Sequence, residues 1–355
     1  MTEFSSDTLS TYLSDTLGDG EVSVDDIVAH TEGWSRDTVS FTARYREGGD
    51  EVTERLVLRA ENELQHDADA ESLPGNDIRT EYETLAAAQD APVPVPRVRW
   101  FDEAGGPFER GLFVMDHLEG EPPITWDPRD RRELYDAWDS PDRTLPDQFV
   151  DATAGVHAID GSAVPGIEDV PPDEVVTREI DRWEELYRNA EMKREPAVEE
   201  AIRWFRANEP TVPETTLVHG DFRIGNALID DDRITGLLDW EFARVGDPLF
   251  DLGYASTRYF AGKLVEPIER PELACSLLER EWFYDEYERR TGRTVDRERV
   301  RYWQAFSAFV MLTICCWGAN QYDTGASDDV RNAWFQYPVP GLIEDLLAII
   351  EDDRL

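Results

Sequence analysis

Three early stretches, 22–30, 39–46 and 52–60, alternate apolar and polar residues and are rich in β-branched side chains, the pattern of half-buried strands. Turn residues separate them, Gly33 before the second and Gly48-Gly49-Asp50 before the third, so the three predict an antiparallel meander. A short helix is expected before them at 7–17. The stretch 77–89 reads as a second helix with Ile78, Tyr82, Leu85 and Ala86 on one face, stopped by Pro92, Pro94 and Pro96. Strands are expected again at 97–101 and 111–118. Beyond Gly120-Glu121-Pro122-Pro123 the apolar spacing becomes helical, near 147–160, 173–188, 196–207, 275–290 and 297–320, interrupted by one β island at 216–239. The pattern predicts an α+β fold of two lobes, a β-rich N-lobe at 1–118 and a mostly helical C-lobe at 119–355, with the boundary near 117–121. There is no internal repeat and no low-complexity segment.

Composition narrows the function. With 41% hydrophobic and 11% aromatic residues among 355, the chain can bury a sizeable core. The net charge is −42, from 77 acidic against 35 basic residues, and Lys193 and Lys263 are the only lysines. Such a surface repels phosphate backbones and anionic lipid, so neither a nucleic-acid partner nor a membrane partner is expected. Carboxylates spread along the whole chain suit a halophilic, concentrated-salt setting in which screening relieves their repulsion. Cys275, Cys315 and Cys316 form no C-x-x-C pair, and the N-terminus has no basic-then-apolar leader; both features point to a reducing, cytoplasmic location. The uncharged run 302–319 reaches membrane-spanning length, but the dispersed Gln304, Ser307 and Thr313 predict a buried core helix instead. The histidines at 30, 66, 117, 157 and 219 include no i, i+4 pair, so no zinc site is expected.

The most informative stretch is His219-Gly220-Asp221-Phe222-Arg223-Ile224-Gly225-Asn226, continuing through an apolar strand, a turn at Asp230-Asp231-Asp232, a second strand and Asp239-Trp240-Glu241. A hairpin between them brings Asp221, Asn226 and Asp239 to one end. Taken singly, each reads as a turn or cap residue. Together, at this spacing and beside His219, they match what phosphoryl transfer requires: a carboxylate to orient and deprotonate a hydroxyl, and oxygen ligands for the metal that bridges the phosphates. Asp221 is the expected catalytic base, with Asn226 and Asp239 as ligands for Mg²⁺.

These motifs resemble the aminoglycoside phosphotransferase family, which shares the protein-kinase fold with choline kinases. The likeness is greatest to the kinase-like domains fused to some acyl-CoA dehydrogenases and to their stand-alone relatives. It runs from Trp34 to about Tyr254 and includes Gly246-Asp247-Pro248-Leu249-Phe250-Asp251-Leu252. The resemblance implies a protein-kinase-like two-lobed fold and use of ATP, with GTP as the alternative. It implies that Asp251 and His219 brace the catalytic loop and that His157 is a packed residue. In the nucleotide site it implies that Ser35, in Gly33-Trp34-Ser35-Arg36-Asp37, belongs to a phosphate-covering turn, with an ordinary hairpin loop as the alternative. Met115 would line the adenine pocket or pack in the core. Arg59 occupies the third-strand position where kinases usually carry lysine; no lysine precedes position 193, so either a guanidinium grips the phosphates there or that contact is not made. Glu81 is its expected ion-pair partner, with Glu83 as the alternative.

The resulting expectation is a small-molecule kinase that moves the γ-phosphoryl group of ATP to a hydroxyl acceptor. The departure at Arg59 keeps open a nucleotide-binding pseudokinase or docking module, and clustered Asp and Asn also suit a metal-dependent phosphohydrolase. The acceptor is not specified by any motif; a hydroxyacyl-CoA, an aminoglycoside, an amino alcohol and a sugar are all compatible.

Overall fold

A computed structural model of the chain describes residues 4–17, 21–30, 36–61, 75–191, 193–262 and 268–351. Helix α1 (Ser6–Leu17) precedes a five-stranded antiparallel sheet built from β1 (Ser23–His30), β2 (Arg36–Glu47), β3 (Asp50–Glu61), β4 (Val98–Asp102) and β5 (Leu112–Asp116), in the order β1-β2-β3-β5-β4. The β2–β3 turn rests on Gly48 and Gly49, both at positive φ, the backbone a two-residue hairpin loop demands. Helix α2 (Ile78–Ala88) crosses one face; Asp77 caps it by accepting from the Thr80 N–H.

Period-two alternation gives the sheet two different faces. Leu56, Leu58, Ala60, Leu112 and Val114 pack with Leu9, Tyr12 and Leu13 of α1 in a core of their own. Val57, Arg59, Phe113 and Met115 share the other face, in register as Val57↔Met115 and Arg59↔Phe113. There the apolar members join the larger core, which continues through the second lobe.

That second lobe is mostly helical: α3 (Pro128–Asp139), α4 (Thr144–Val156), α5 (Val175–Ala190), α6 (Pro196–Ala207), then, after short strands, α7 (Leu249–Ala255), α8 (Arg280–Thr291), α9 (Arg297–Asp323), α10 (Val330–Trp334) and α11 (Val339–Glu351). The β island is more than the one hairpin the pattern suggests. Strand β6 (Thr216–Val218) pairs with β9 (Arg244–Gly246), and the hairpin of β7 (Ala227–Asp230) and β8 (Arg233–Leu237) projects between them. A further pair, β10 (Leu273–Ala274) and β11 (Leu278–Glu279), delays α8 to Arg280, because the turn at Cys275 and Ser276 is left-handed at both residues and cannot begin a helix. Helices α3, α7, α10 and α11 escape the periodicity for separate reasons: the first half of α3 is almost all charged, α7 is buried all round, α10 is five residues long, and α11 is apolar on most sides.

Helix α9 is the central beam. Among the described residues it is the one helix long and apolar enough to span a membrane, and 78% of that apolar window is buried inside the protein. Trp303, Phe306 and Phe309 are covered on every side. The connector between the lobes is fixed to the β7–β8 hairpin: Glu121 and Ile229 exchange backbone hydrogen bonds at 3.1 Å each way. Gly120, at φ +115, comes so close that a Cβ would stand 2.8 Å from the Ile229 carbonyl oxygen.

Candidate active site

The loop from β6 to β7 carries His219, Asp221 and Asn226, and its shape is set from below. Asp251, fully buried on α7, accepts from the His219 N–H at 2.8 Å and the Gly220 N–H at 3.0 Å. Its Oδ2 also meets His157 Nε2 at 3.0 Å, while His157 Nδ1 faces the Tyr287 hydroxyl at 2.8 Å. Burial works to raise the Asp251 carboxyl, yet the bonds from His157 and the His219 N–H hold it below its ordinary value. His157 is thus a packed residue, as expected.

His219 is buried and held below its usual pKa chiefly by desolvation. Its Nδ1 accepts from the Asp221 N–H at 3.2 Å and its Nε2 faces the Leu238 carbonyl at 2.9 Å, a pattern that requires the neutral ring protonated at Nε2. One imidazole thereby ties the base-bearing loop to the strand end that carries Asp239. Gly220, at φ +82, has to be glycine: a Cβ there would lie 2.3 Å from the Phe242 carbonyl oxygen.

Asp221 is gripped on both oxygens. Asn226 Nδ2 donates to Oδ2 at 2.7 Å and to the Asp221 carbonyl at 2.9 Å, and Arg223 Nε donates to Oδ1 at 3.2 Å. Burial would lower the Arg223 guanidinium, but Asp221 and other groups of the cleft keep it above its normal value. Asn226 turns its amide nitrogen to Asp221 and leaves Oδ1 buried with no hydrogen-bond partner. Backbone pairing of Leu238 N–H to the Asn226 carbonyl at 2.8 Å sets Asp239 next to this oxygen's residue.

Asp239 itself takes a left-handed backbone, φ +62, uncommon outside glycine and tolerated by aspartate. Its side chain is 43% exposed and opens to the cleft. Enclosure by protein favours the protonated form, but the Arg59 and Arg223 guanidiniums prevail and hold the carboxyl below its ordinary value. Arg59 Nη1 lies 3.0 Å from Asp239 Oδ1 and 3.2 Å from Glu81 Oε1.

Most residues singled out in the sequence therefore converge. Asp221, Asn226 and Asp239 share one end of the hairpin, and Arg59 reaches them from the sheet. Glu81 turns inward with no exposure and pairs with Arg59, whereas Glu83 lies half-buried. Met115 is buried in the larger core. Ser35, with Gly33 and Trp34, lies outside the described residues, whereas Arg36 and Asp37, expected in the same turn, open β2 and pair with Glu61 and Ala60 of β3. Two residues make contacts that the sequence does not signal. Arg36, buried at the start of β2, places Nε 3.3 Å from Glu81 Oε2. Asn76 bonds the backbone just past Asp239, through its N–H to the Glu241 carbonyl at 2.6 Å and its Nδ2 to the Ala243 carbonyl at 2.7 Å. Their partners are 45 and 165 or more positions away in the chain, beyond the reach of any local pattern.

As a donor set for a metal, the Asp239 carboxylate and the orphaned Asn226 amide oxygen are hard oxygen ligands of the kind Mg²⁺ takes. Among the described residues no three His, Cys, Asp or Glu side chains cluster as a metal cage. Two protein oxygens fit the alternative, in which phosphates and water complete the shell.

Comparison with known proteins bears on the family and the fold. A family model described as "phosphotransferase enzyme family" matches residues 26–303. Acyl-CoA dehydrogenase family member 10 of Mus musculus is 27% identical over 190 residues, a match covering 52% of this chain and 17% of that much longer protein. A Ralstonia eutropha protein described as an aminoglycoside phosphotransferase superimposes with a TM-score of 0.71 at 20% identity, covering 96% of this chain and 98% of the other. A thermostable mutant of aminoglycoside phosphotransferase APH(4)-Ia, in complex with ADP and hygromycin B, gives 0.58 at 20% identity over 95% and 98%. At these identities the solved structures establish the two-lobed kinase-like fold.

Proposed function

The chain belongs to the phosphotransferase enzyme family, and from that premise we propose that it moves the γ-phosphoryl group of ATP to a hydroxyl of a small molecule. The observation that carries the reading is the meeting of Asp221, Asn226 and Asp239 at one cleft with Arg59, including a buried amide oxygen that no protein donor satisfies.

Asp221 acts as the base: it orients the acceptor hydroxyl and takes its proton as the oxygen attacks phosphorus. Its Oδ2 is steadied by Asn226, which also fixes the loop around it. Arg223, bonded to Oδ1, places a permanent positive charge beside the base, where negative charge builds on the transferred group. Asn226 Oδ1 and Asp239 would hold Mg²⁺, which when bound neutralises phosphate charge. Arg59 would grip phosphate oxygens, a task for which a planar guanidinium with paired donors is suited. Glu81 orients Arg59 from α2.

The acceptor follows from none of these contacts. Release of ADP from ATP, or of GDP from GTP, should be measured at fixed Mg²⁺ against a panel of hydroxyacyl-CoA thioesters, aminoglycosides, amino alcohols and sugars. Acceptor-dependent release abolished by a chelator supports the proposal. Nucleotide binding without turnover on any acceptor would favour the pseudokinase, and acceptor-independent phosphate release the hydrolase.

A further inference from the structure

We propose that Arg36 is a positioning residue of the phosphoryl-transfer site, supplying Glu81 with a counter-charge that stays in place when Arg59 turns to the nucleotide. The proposal rests on the kinase reading above.

Glu81 has no solvent exposure, and its two oxygens are divided between two arginines: Oε2 faces Arg36 Nε at 3.3 Å and Oε1 faces Arg59 Nη1 at 3.2 Å. Both guanidiniums are nearly buried, with side chains 5% and 9% exposed. Arg59 is shared. The same Nη1 that faces Glu81 also bonds Asp239 Oδ1, so in this structure Arg59 answers two acids with one nitrogen. A triphosphate in the cleft would draw that charge further. A buried carboxylate deprived of its cation is strongly destabilised, far more than an exposed one.

Arg36 has a different set of contacts. Its Nη2 donates to the Asn76 carbonyl at 2.7 Å, immediately before α2, and Asn76 in turn holds the Glu241 and Ala243 carbonyls past Asp239. Arg36 therefore fixes Glu81, the entry to α2 and the segment following the metal ligand at once, from the first residue of β2. Where kinases are described with one cation on the helix glutamate, this chain has an Arg-Glu-Arg bridge.

The test measures Mg²⁺-dependent ATP affinity on folded protein by calorimetry, with KM values for ATP and for the acceptor. Arg36→Met should weaken ATP binding about tenfold or more, the effect of leaving Glu81 without a cation once Arg59 is engaged, and leave the acceptor KM in place. Arg36→Lys should recover part of the loss. Adding Glu81→Gln to Arg36→Met should restore affinity relative to Arg36→Met alone, because the stranded charge is gone. A merely structural Arg36 would lower the melting temperature without moving the dissociation constant of the folded enzyme. Wild-type affinity in Arg36→Met, or no recovery in the double variant, overturns the proposal while the kinase reading stands. Failure of the wild type to bind ATP with Mg²⁺ overturns both. If Arg36→Met does not fold, Arg36→Lys and Glu81→Gln decide it: a double variant no weaker than the worse single supports the bridge, and additive losses refute it.

Discussion

Arg59 and Asp239 meet at 3.0 Å although 180 positions separate them, so a strand of the N-terminal sheet is bonded directly to the end of the catalytic hairpin. This contact joins the lobes across the cleft, and both partners have other work in the proposed reaction. Asp239 is needed by the metal and Arg59 by the phosphates. Nucleotide binding therefore exchanges a protein ion pair for two ligand contacts, and the variants below should separate those contacts.

Asp221→Asn should abolish turnover and leave ATP affinity close to wild type. The amide cannot take the hydroxyl proton, and a positioned base contributes roughly 10²–10⁴-fold. Asn226 and Arg223 remain to hold the loop. A rate above about a tenth of wild type, set against that expectation, would remove Asp221 from its role.

Asp239→Ala should differ in kind. Losing a metal ligand weakens Mg²⁺-dependent ATP binding together with catalysis, and also frees Arg59 from one partner. Calorimetry at matched Mg²⁺ decides: unchanged affinity would show that Asp239 does not ligate the ion.

The catalytic loop was legible in the sequence because its residues are local. Asp221 and Asn226 are five apart, and the hairpin that returns to Asp239 announces itself by its acidic turn. The pairing of Arg59 with Glu81 was legible only through family resemblance. The contacts of Arg36 and Asn76 were not legible: Arg36 reads as part of the turn before β2, and only a helix 45 positions away makes it a partner of Glu81. The N-terminal strands were readable from alternation. Helix α3 was missed because its apolar stripe of Leu134, Tyr135 and Trp138 is confined to its second half, behind a charged first half.

Acid should weaken the fold in stages. His219 is held neutral by burial, with a folded-state pKa below its ordinary value near ~6.5. Protonation therefore favours the unfolded chain: the stabilisation is present above that ordinary value and is lost as pH falls toward the depressed one. His117, also lowered by burial, acts in the same sense. Asp251, held low, adds a second loss beneath the usual carboxylate range near ~3.9. Melting temperature should be followed against pH in molar KCl, which screens the surface acids. A flat profile between neutrality and about pH 5, where the ordinary histidine value of ~6.5 has been passed, would contradict the assignment of His219; His219→Gln should flatten the first stage.

Arg59 is where the chain departs from the usual lysine, and the structure changes what its removal should do. Without Arg36, deleting Arg59 would leave Glu81 as an unpaired buried charge and endanger the fold. With Arg36 3.3 Å from Oε2, Glu81 keeps a cation, so Arg59→Met should fold and its defect should be confined to the nucleotide. Arg59→Lys preserves a positive charge but replaces a planar fork with a compact ammonium, so it should remain active and weakened. Arg59→Met loses both the phosphate grip and the tie to Asp239, and should raise KM for ATP and lower kcat well beyond the Lys variant, with the acceptor KM little changed. The measurements are kcat/KM for ATP in the three proteins and their melting temperatures. Wild-type kcat/KM in Arg59→Met would mean that other groups hold the phosphates and would return the pseudokinase reading to consideration. Equal loss in the Lys and Met variants would instead mean that the guanidinium's two-point geometry, and not its charge, is what the site requires.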